Sequence, residues 1–180
     1  MEFIETPIPG VLLLEPKVFG DARGFFLESY NERTMAEGGI RERFVQDNHS
    51  FSVRHVLRGL HYQIRSPQGK LVTAVTGEIF DVVVDLRRSS GAFGKWYGVT
   101  ISEENKRMLW IPPGMAHGFL VSSESAHVLY KATDYYAPQY ERTLAWNDPA
   151  LGIDWPLERH PIISAKDGEG LTLRQAETFE

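Results

Sequence analysis

Short runs of β-branched, leucine and aromatic residues alternate with proline, glycine, asparagine and aspartate along most of the chain. Runs of this length, bounded by turn-forming residues, are typical of β-strands. The pattern predicts strands over residues 11–15, 24–30, 44–48, 56–63, 71–75, 78–86, 95–102, 106–111, 118–121 and 126–134. Thr76 and Gly77 separate two of these runs and predict a hairpin turn. Many short strands at this spacing favour a sandwich or a barrel.

Helical signals are confined to two segments. Asn31 is a favourable N-cap for a helix over residues 32–37, which the glycines at positions 38 and 39 would end. A weaker helical signal covers residues 173–178. No repeat, low-complexity tract or linker interrupts the chain, so we expect a single all-β domain over residues 1–180 with a few short helices.

Length, charge and composition exclude several function classes. With 180 residues, 42% of them hydrophobic, the chain can bury one substantial core. Its formal net charge of -5 argues against binding of nucleic acid, which requires a basic face to neutralise phosphates. The chain has no cysteine, as suits a reducing compartment, and neither a secretory signal nor a membrane-spanning apolar stretch is recognisable. We therefore expect a cytoplasmic protein that does not bind membranes.

Two histidines lie between strand-forming and tight-turn residues, His61 within residues 58–63 and His117 within residues 110–118. A small barrel would direct both side chains inward. A catalytic metal site would need a second histidine two residues after His61 and a glutamate soon after it, and neither is there. The spacing therefore predicts no metal site and favours histidine that transfers protons.

The spacing of Pro112, Gly114 and His117 resembles the second motif of the cupin superfamily, in which a tight turn delivers one histidine into the barrel. This resemblance implies a double-stranded β-helix, the cupin-like jelly roll. The first cupin motif supplies three metal ligands, of which only His61 has a counterpart here.

A closer resemblance is to the dTDP-4-dehydrorhamnose 3,5-epimerase family. The motifs that carry it lie at residues 20–30, 44–50, 57–63, 68–72, 110–119, 130–136, 146–149 and 164–167. So many motifs in the same order make the resemblance highly specific. It runs from about residue 7 to residue 167 and fades at residues 35–43, 52–55 and 122–127 and after residue 168, where the family carries no chemistry.

This resemblance implies an enzyme that uses no cofactor and inverts C3 and C5 of dTDP-4-dehydro-6-deoxy-D-glucose, giving dTDP-4-dehydro-L-rhamnose for cell-surface polysaccharide. Such a reaction needs a base on one face of the sugar, an acid on the other and a group that stabilises the enolate oxygen. The resemblance also implies a homodimer whose early strands extend into the partner, so that each pocket draws on two chains.

Five residues receive roles in the chemistry from this resemblance. His61 is similar to the family's base, and Asp167 to the carboxylate that orients it and stabilises the imidazolium as it forms. Tyr130 resembles the proton donor on the opposite face of the sugar. Lys70 corresponds to the ammonium that stabilises the negative oxygen at C4. His117 is expected to donate a hydrogen bond to the sugar or to that oxygen.

The resemblance further implies a set of residues that bind the nucleotide and the sugar. Arg23, Arg58 and Lys166 match positions that bind substrate, and the two arginines suit phosphate oxygens. Glu28, Gln46, Asn48 and Glu141 match polar positions that hold the nucleoside or sugar. Tyr135 or Tyr136 could stack on thymine.

Two alternatives stay open at the level of sequence. Relatives in antibiotic-sugar pathways invert only C3 or only C5 with nearly the same residues. A different class would be a sugar-binding jelly roll without catalysis or a metal-dependent cupin oxygenase. His61 together with Asp167 argues against the first of these, and the missing metal ligands argue against the second.

Overall fold

Thirteen strands make up most of the regular secondary structure in this computed structural model, which describes residues 1–180. They are β1 (Glu2–Glu5), β2 (Leu12–Glu15), β3 (Val18–Asp21), β4 (Gly24–Leu27), β5 (Gln46–Val53), β6 (Leu57–Gln63), β7 (Lys70–Thr76), β8 (Glu78–Asp85), β9 (Trp96–Ser102), β10 (Met108–Ile111), β11 (Met115–Val121), β12 (Ser125–Ala132) and β13 (Glu141–Thr143). Helices α1 (Glu32–Glu37) and α2 (Ala165–Gly168) and a short 3-10 turn at Pro138–Tyr140 complete the fold.

The strands form two sheets and a separate hairpin, with antiparallel pairing throughout. One sheet has six strands in the order β1-β2-β10-β7-β12-β5, and the other has five in the order β13-β6-β11-β8-β9. Strands β3 and β4 pair only with each other and form an exposed arm. This is the cupin-like jelly roll, so the predicted fold class is confirmed.

The main core lies between the two sheets. Val72 and Val128 of the six-stranded sheet pack in one cluster with Val83 and Phe119 of the five-stranded sheet. Along β12, buried Ala126 and Val128 alternate with more exposed neighbours, because successive side chains of a strand point to opposite faces. Full burial of a valine or leucine contributes roughly 1.5–3 kcal/mol each. The facing sheets are therefore held rigidly around any space left between them.

Two local predictions are confirmed by the backbone. The side-chain oxygen of Asn31 accepts hydrogen bonds from the amides of Arg33 and Thr34, which caps α1 as expected. Gly77 turns the hairpin between β7 and β8 with a φ of +74°, in the left-handed region that favours glycine. No helix is both long and apolar enough to cross a bilayer.

Other local predictions are wrong. Residues 173–178 are not a helix: the amides of Gln175 and Ala176 close one turn on the carbonyl of Thr172, and Phe179 then bonds to the carbonyl of Leu86. A single turn followed by an extended end thus replaces the helix, whose propensity was weak. The second helix is α2 instead, capped by Ser164.

Several strand boundaries also differ. The pattern missed β1, β3 and β13, ended β5 five residues early and began β11 three residues late. It extended the strand after Gly24 to residue 30, whereas β4 ends at Leu27. The missed strands are only three or four residues long, and β13 pairs with the distant β6, so their own residues carry little of the signal.

Candidate active site

A mostly polar cavity of about 350 Å³ opens between the two sheets. Ten of the fourteen predicted site residues line it, and these are Gln46, Asn48, Arg58, His61, Lys70, His117, Tyr130, Tyr136, Glu141 and Lys166. The fold brings them together from six strands, from the segment that follows β12 and from helix α2. The cavity is therefore the candidate active site.

His61 and His117 enter the cavity from the five-stranded sheet, on β6 and β11, where they are directly opposed. A Cβ at Gly59 would come within 2.5 Å of the Cα of Gly118, and a Cβ at Gly118 within 2.5 Å of the carbonyl of Arg58. Two glycines thus let the strands approach closely beside the histidines. The register of this pair shifts just after His117, and such an irregularity re-aims side chains.

His61 forms an imidazole–carboxylate pair with Asp167. Its Nε2 is 2.6 Å from Oδ1 of Asp167, whose Oδ2 accepts a hydrogen bond of 2.7 Å from the Ser164 hydroxyl. Asp167 is held as the third residue of α2 in a capping box with Ser164. Burial favours a raised pKa for Asp167, but the hydrogen bonds from His61 and Ser164 outweigh it and lower the pKa to about 2. The carboxylate therefore stays charged at neutral pH.

A second imidazole–carboxylate pair lies beside the first. Nε2 of His117 is 2.7 Å from Oδ1 of Asp81, and both side chains are buried. Sequence analysis missed Asp81. The signal was available: Asp81 is one charged residue inside the apolar stretch from Ile79 to Val84, and it lies in a strand that faces the core.

Lys70 and Tyr130 approach the cavity from the six-stranded sheet. The ammonium nitrogen of Lys70 lies 6.0 Å from the centroid of the Tyr130 ring. Burial lowers the pKa of Lys70 to about 8, against the opposing charges of Asp81 and Glu141. Burial also raises the pKa of Tyr130, which keeps its phenol protonated. The imidazole of His61 on one sheet and the phenol of Tyr130 on the other thus line the same cavity.

Polar groups around the cavity are tied to one another. Lys166 and Glu141 form an ion pair at 2.5 Å, and the hydroxyl of Tyr136 donates to Glu141 at 2.8 Å. The Nε of Arg58 donates to Ser52 at 2.9 Å. Arg58 and Lys166 give the cavity two cationic groups that suit phosphate oxygens.

Four predicted residues do not line this cavity: Asp167, which contacts His61 from behind, and three others. Arg23 is on the turn between β3 and β4 and pairs with Asp21, and Glu28 accepts hydrogen bonds from Asn31 at 3.0 Å and Thr34 at 3.2 Å. Tyr135 is 66% exposed. Within one chain the structure does not bring these three to the other site residues. No group of three or more His, Asp or Glu side chains is arranged to hold a metal ion.

Comparison with known proteins gives long matches. Residues 5–175 match the family model described as dTDP-4-dehydrorhamnose 3,5-epimerase. The chain is 58% identical over 180 residues to the dTDP-4-dehydrorhamnose 3,5-epimerase of Pseudomonas aeruginosa, with 99% of each chain covered. A solved dTDP-6-deoxy-D-glucose-3,5-epimerase from Legionella pneumophila, in complex with dTDP-4-keto-L-rhamnose, is 50% identical with a TM-score of 0.95, covering 98% of this chain and 94% of that one.

A more distant solved structure is a 3'-monoepimerase from Streptomyces bikiniensis in complex with dTDP-quinovose. It is 32% identical with a TM-score of 0.88, covering 94% of this chain and 86% of that one.

The fold and cavity define a cupin-like jelly-roll enzyme with acid–base groups on facing sheets. By the extent and identity of these matches, the chain belongs to the dTDP-4-dehydrorhamnose 3,5-epimerase family. This membership confirms the predicted family and the predicted class of enzyme, an isomerase.

Proposed function

We propose that this protein inverts both C3 and C5 of dTDP-4-dehydro-6-deoxy-D-glucose and so produces dTDP-4-dehydro-L-rhamnose. The observation that carries the proposal is the position of His61 and Tyr130 on facing sheets with the cavity between them. Inversion at a carbon next to a ketone requires removal of a proton from one face and its return from the other.

His61 acts as the base in this proposal. Nε2 of His61 donates a hydrogen bond to Asp167, so Nδ1 carries the lone pair that takes the proton from the sugar carbon. The C–H bond breaks, its electron pair forms the enolate with negative charge on the C4 oxygen, and an N–H bond forms. Tyr130 then gives its hydroxyl proton to the opposite face of the carbon, and the C4 carbonyl re-forms. Water restores the phenol and takes the proton from His61, and the cycle repeats at the second carbon.

Two polar side chains face the enolate oxygen. The Lys70 ammonium and the ring of His117 line the same cavity as His61 and Tyr130, one from each sheet. Donors fixed in place before the reaction need no reorganisation as charge develops, and each contributes about 10²–10³-fold to the rate.

The nucleotide is bound by the remaining polar groups of the cavity. Arg58 and Lys166 hold the diphosphate, while Gln46, Asn48 and Glu141 hold the nucleoside or sugar. Tyr136 stacks on thymine and Tyr135 is a second candidate for that contact.

The active unit is a homodimer in this proposal. Val18, Phe19, Phe25 and Phe26 are exposed on the arm formed by β3 and β4, although large apolar side chains are rarely left together in water. Arg23 and Glu28 lie on or next to the same arm. The arm of one protomer reaches the partner's cavity and adds Arg23 and Glu28 to it. A chain without cysteine suits the cytoplasm, where we place the enzyme.

Epimerisation at one carbon only is the second candidate, favoured by the similarity to the solved 3'-monoepimerase. Incubation of the purified protein with dTDP-4-dehydro-6-deoxy-D-glucose, followed by proton NMR of the products, distinguishes the two. The product is expected to show the proton–proton coupling constants of an L-rhamno ketosugar ring. A product inverted at one carbon would favour the second candidate, and unchanged substrate would refute both.

A further inference from the structure

Asp81 is a buried carboxylate to which the mechanism above gives no role. Its side chain is 0% exposed, and its neighbours along β8 are apolar. Oδ1 is bonded to His117, while Oδ2 is buried with no hydrogen-bond partner. Removing a carboxylate from water costs several kcal/mol unless it is fully paired, so an apolar residue would serve stability better here. The cost points to a role in the active site.

The hydrogen bond to Asp81 determines which nitrogen of His117 faces the cavity. A carboxylate can only accept, so Nε2 of His117 carries a proton. Nδ1 makes no hydrogen bond within the protein and is not among the buried unpaired atoms, so it opens to the cavity that His117 lines. Asp81 thereby fixes both the tautomer and the orientation of the His117 ring.

Lys70 enters the same cavity from the opposite sheet, and Asp81 affects its charge as well. Burial favours the neutral amine, while the negative charges of Asp81 and Glu141 favour the ammonium and Lys166 opposes it. Glu141 already pairs with Lys166 at 2.5 Å. Asp81 is therefore the carboxylate near Lys70 that no lysine or arginine neutralises.

The other titratable groups of the cavity do not replace Asp81. They are Arg58, His61, Tyr130 and Tyr136. Arg58 is itself a cation, and the two phenols are neutral because their pKa values are raised. His61 has Asp167 as its own carboxylate partner.

We propose that Asp81 is a positioning residue, which fixes the tautomer and orientation of His117 in a second imidazole–carboxylate pair and serves as the counter-ion that keeps Lys70 positively charged beside the C4 oxygen. The inference rests on the proposed function, since it assumes that an enolate forms in this cavity. The two pairs then divide the work: His61 with Asp167 moves protons, and His117 with Asp81 stabilises charge.

The pH dependence of kcat in Asp81→Asn tests this role. Asparagine keeps the size of the side chain and removes its negative charge. The ammonium form of Lys70 is then stabilised less, so the pKa of Lys70 falls. The basic limb of the kcat profile is expected to move to lower pH by about one unit. Turnover at pH 7 is expected to fall about 10-fold or more. A basic limb at the wild-type position would overturn the inference.

Asp85→Asn is the matched control. Asp85 also lies in β8 and is fully buried, but it pairs with Arg87 at 2.8 Å and does not line the cavity. Its loss is expected to lower the melting temperature and to leave the basic limb where it is. A merely structural role for Asp81 would give the same result as this control.

A second measurement needs neither a variant nor a substrate. Nitrogen-15 NMR of the wild-type protein reports which ring nitrogen of His117 carries a proton. A protonated Nε2 is expected throughout the working pH range, whereas a neutral ring with its proton on Nδ1 would overturn the inference. Wild-type protein without turnover would refute the proposed function itself, while normal turnover with an unmoved limb in Asp81→Asn would refute only the role of Asp81.

Discussion

His61 and Asp167 are joined by a hydrogen bond of 2.6 Å although 106 residues separate them in the chain. The contact depends on α2, whose capping box with Ser164 fixes the carboxylate against β6. A charged carboxylate in this position selects the ring tautomer that leaves Nδ1 free to act as a base. The proposed base is thus oriented by a helix of four residues that lies outside the sheets.

Asp167→Asn tests this preparation through turnover and stability together. The amide cannot hold the imidazole in the same tautomer, so kcat is expected to fall by roughly 10²–10⁴-fold. Because the pKa of Asp167 is lowered from 3.8 to about 2, its charged form stabilises the fold by about 2 kcal/mol above pH 5. That contribution is lost as the pH falls towards 2.

Urea unfolding of wild type and Asp167→Asn between pH 7 and pH 3 checks the second expectation. The stability difference should be constant above pH 5 and should shrink below pH 4. Asp154→Asn, at an exposed position, is the control and should follow the wild type at every pH. A difference that does not change with pH would contradict the assigned charge state of Asp167.

Tyr130→Phe removes the proton donor and keeps the ring. Abstraction by His61 should continue, so deuterium from D₂O should still enter the substrate, but with retention of configuration. Formation of the inverted product is expected to fall by about 10²–10⁴-fold. Tyr97→Phe is the control, since Tyr97 lies in β9 and does not line the cavity. Formation of the inverted product by Tyr130→Phe at the wild-type rate would rule out Tyr130 as the proton donor.

The charge of Lys70 should set the alkaline limit of activity. Its pKa of about 8 means that the ammonium is lost as the pH rises through 8, and stabilisation of the enolate is lost with it. Lys70→Met is expected to lower kcat by about 10²–10³-fold and to remove this limb from the profile. The surface variant Lys95→Met should keep both. A limb near pH 8 that persists in Lys70→Met would assign the limb to another group.

Co-expression of two inactive variants tests whether the arm acts on the partner's cavity. In a mixed dimer of Arg23→Ala and His61→Asn chains, one cavity would combine an intact His61 with an intact Arg23 if Arg23 acts across the interface. About half of the activity of each mixed dimer should then return. Should Arg23 act within its own chain, no intact cavity forms, and the mixture would be no more active than the separate variants.

The sequence predicted the site best for residues that stand in a recognisable motif. His61, Lys70 and Tyr130 stand in specific motifs, and the fold brings them to one cavity as predicted. Asp81 escaped notice because an isolated acidic residue in an apolar strand has no partner that can be recognised along the sequence. Its partner His117 is 36 residues away and meets it only through the pairing of β8 with β11.

Arg23 shows a different limit of sequence reasoning. Its motif is as recognisable as that of His61, yet in one chain it lies on an exposed arm with Asp21. The prediction of a helix at residues 173–178 failed for a third reason, because the segment closes one turn on Thr172 and the next residue, Phe179, bonds to Leu86 and Arg88. The partners of Phe179 are distant in the sequence.

Deuterium incorporation from D₂O into dTDP-4-dehydro-6-deoxy-D-glucose, located by mass spectrometry and NMR, is the most direct test of His61 as the one base for both carbons. Wild-type protein should place deuterium at C3 and at C5 of the L-rhamno product, and His61→Asn should place it at neither, while the exposed variant His160→Asn behaves as wild type. Exchange at either carbon in His61→Asn at the wild-type rate would contradict the account.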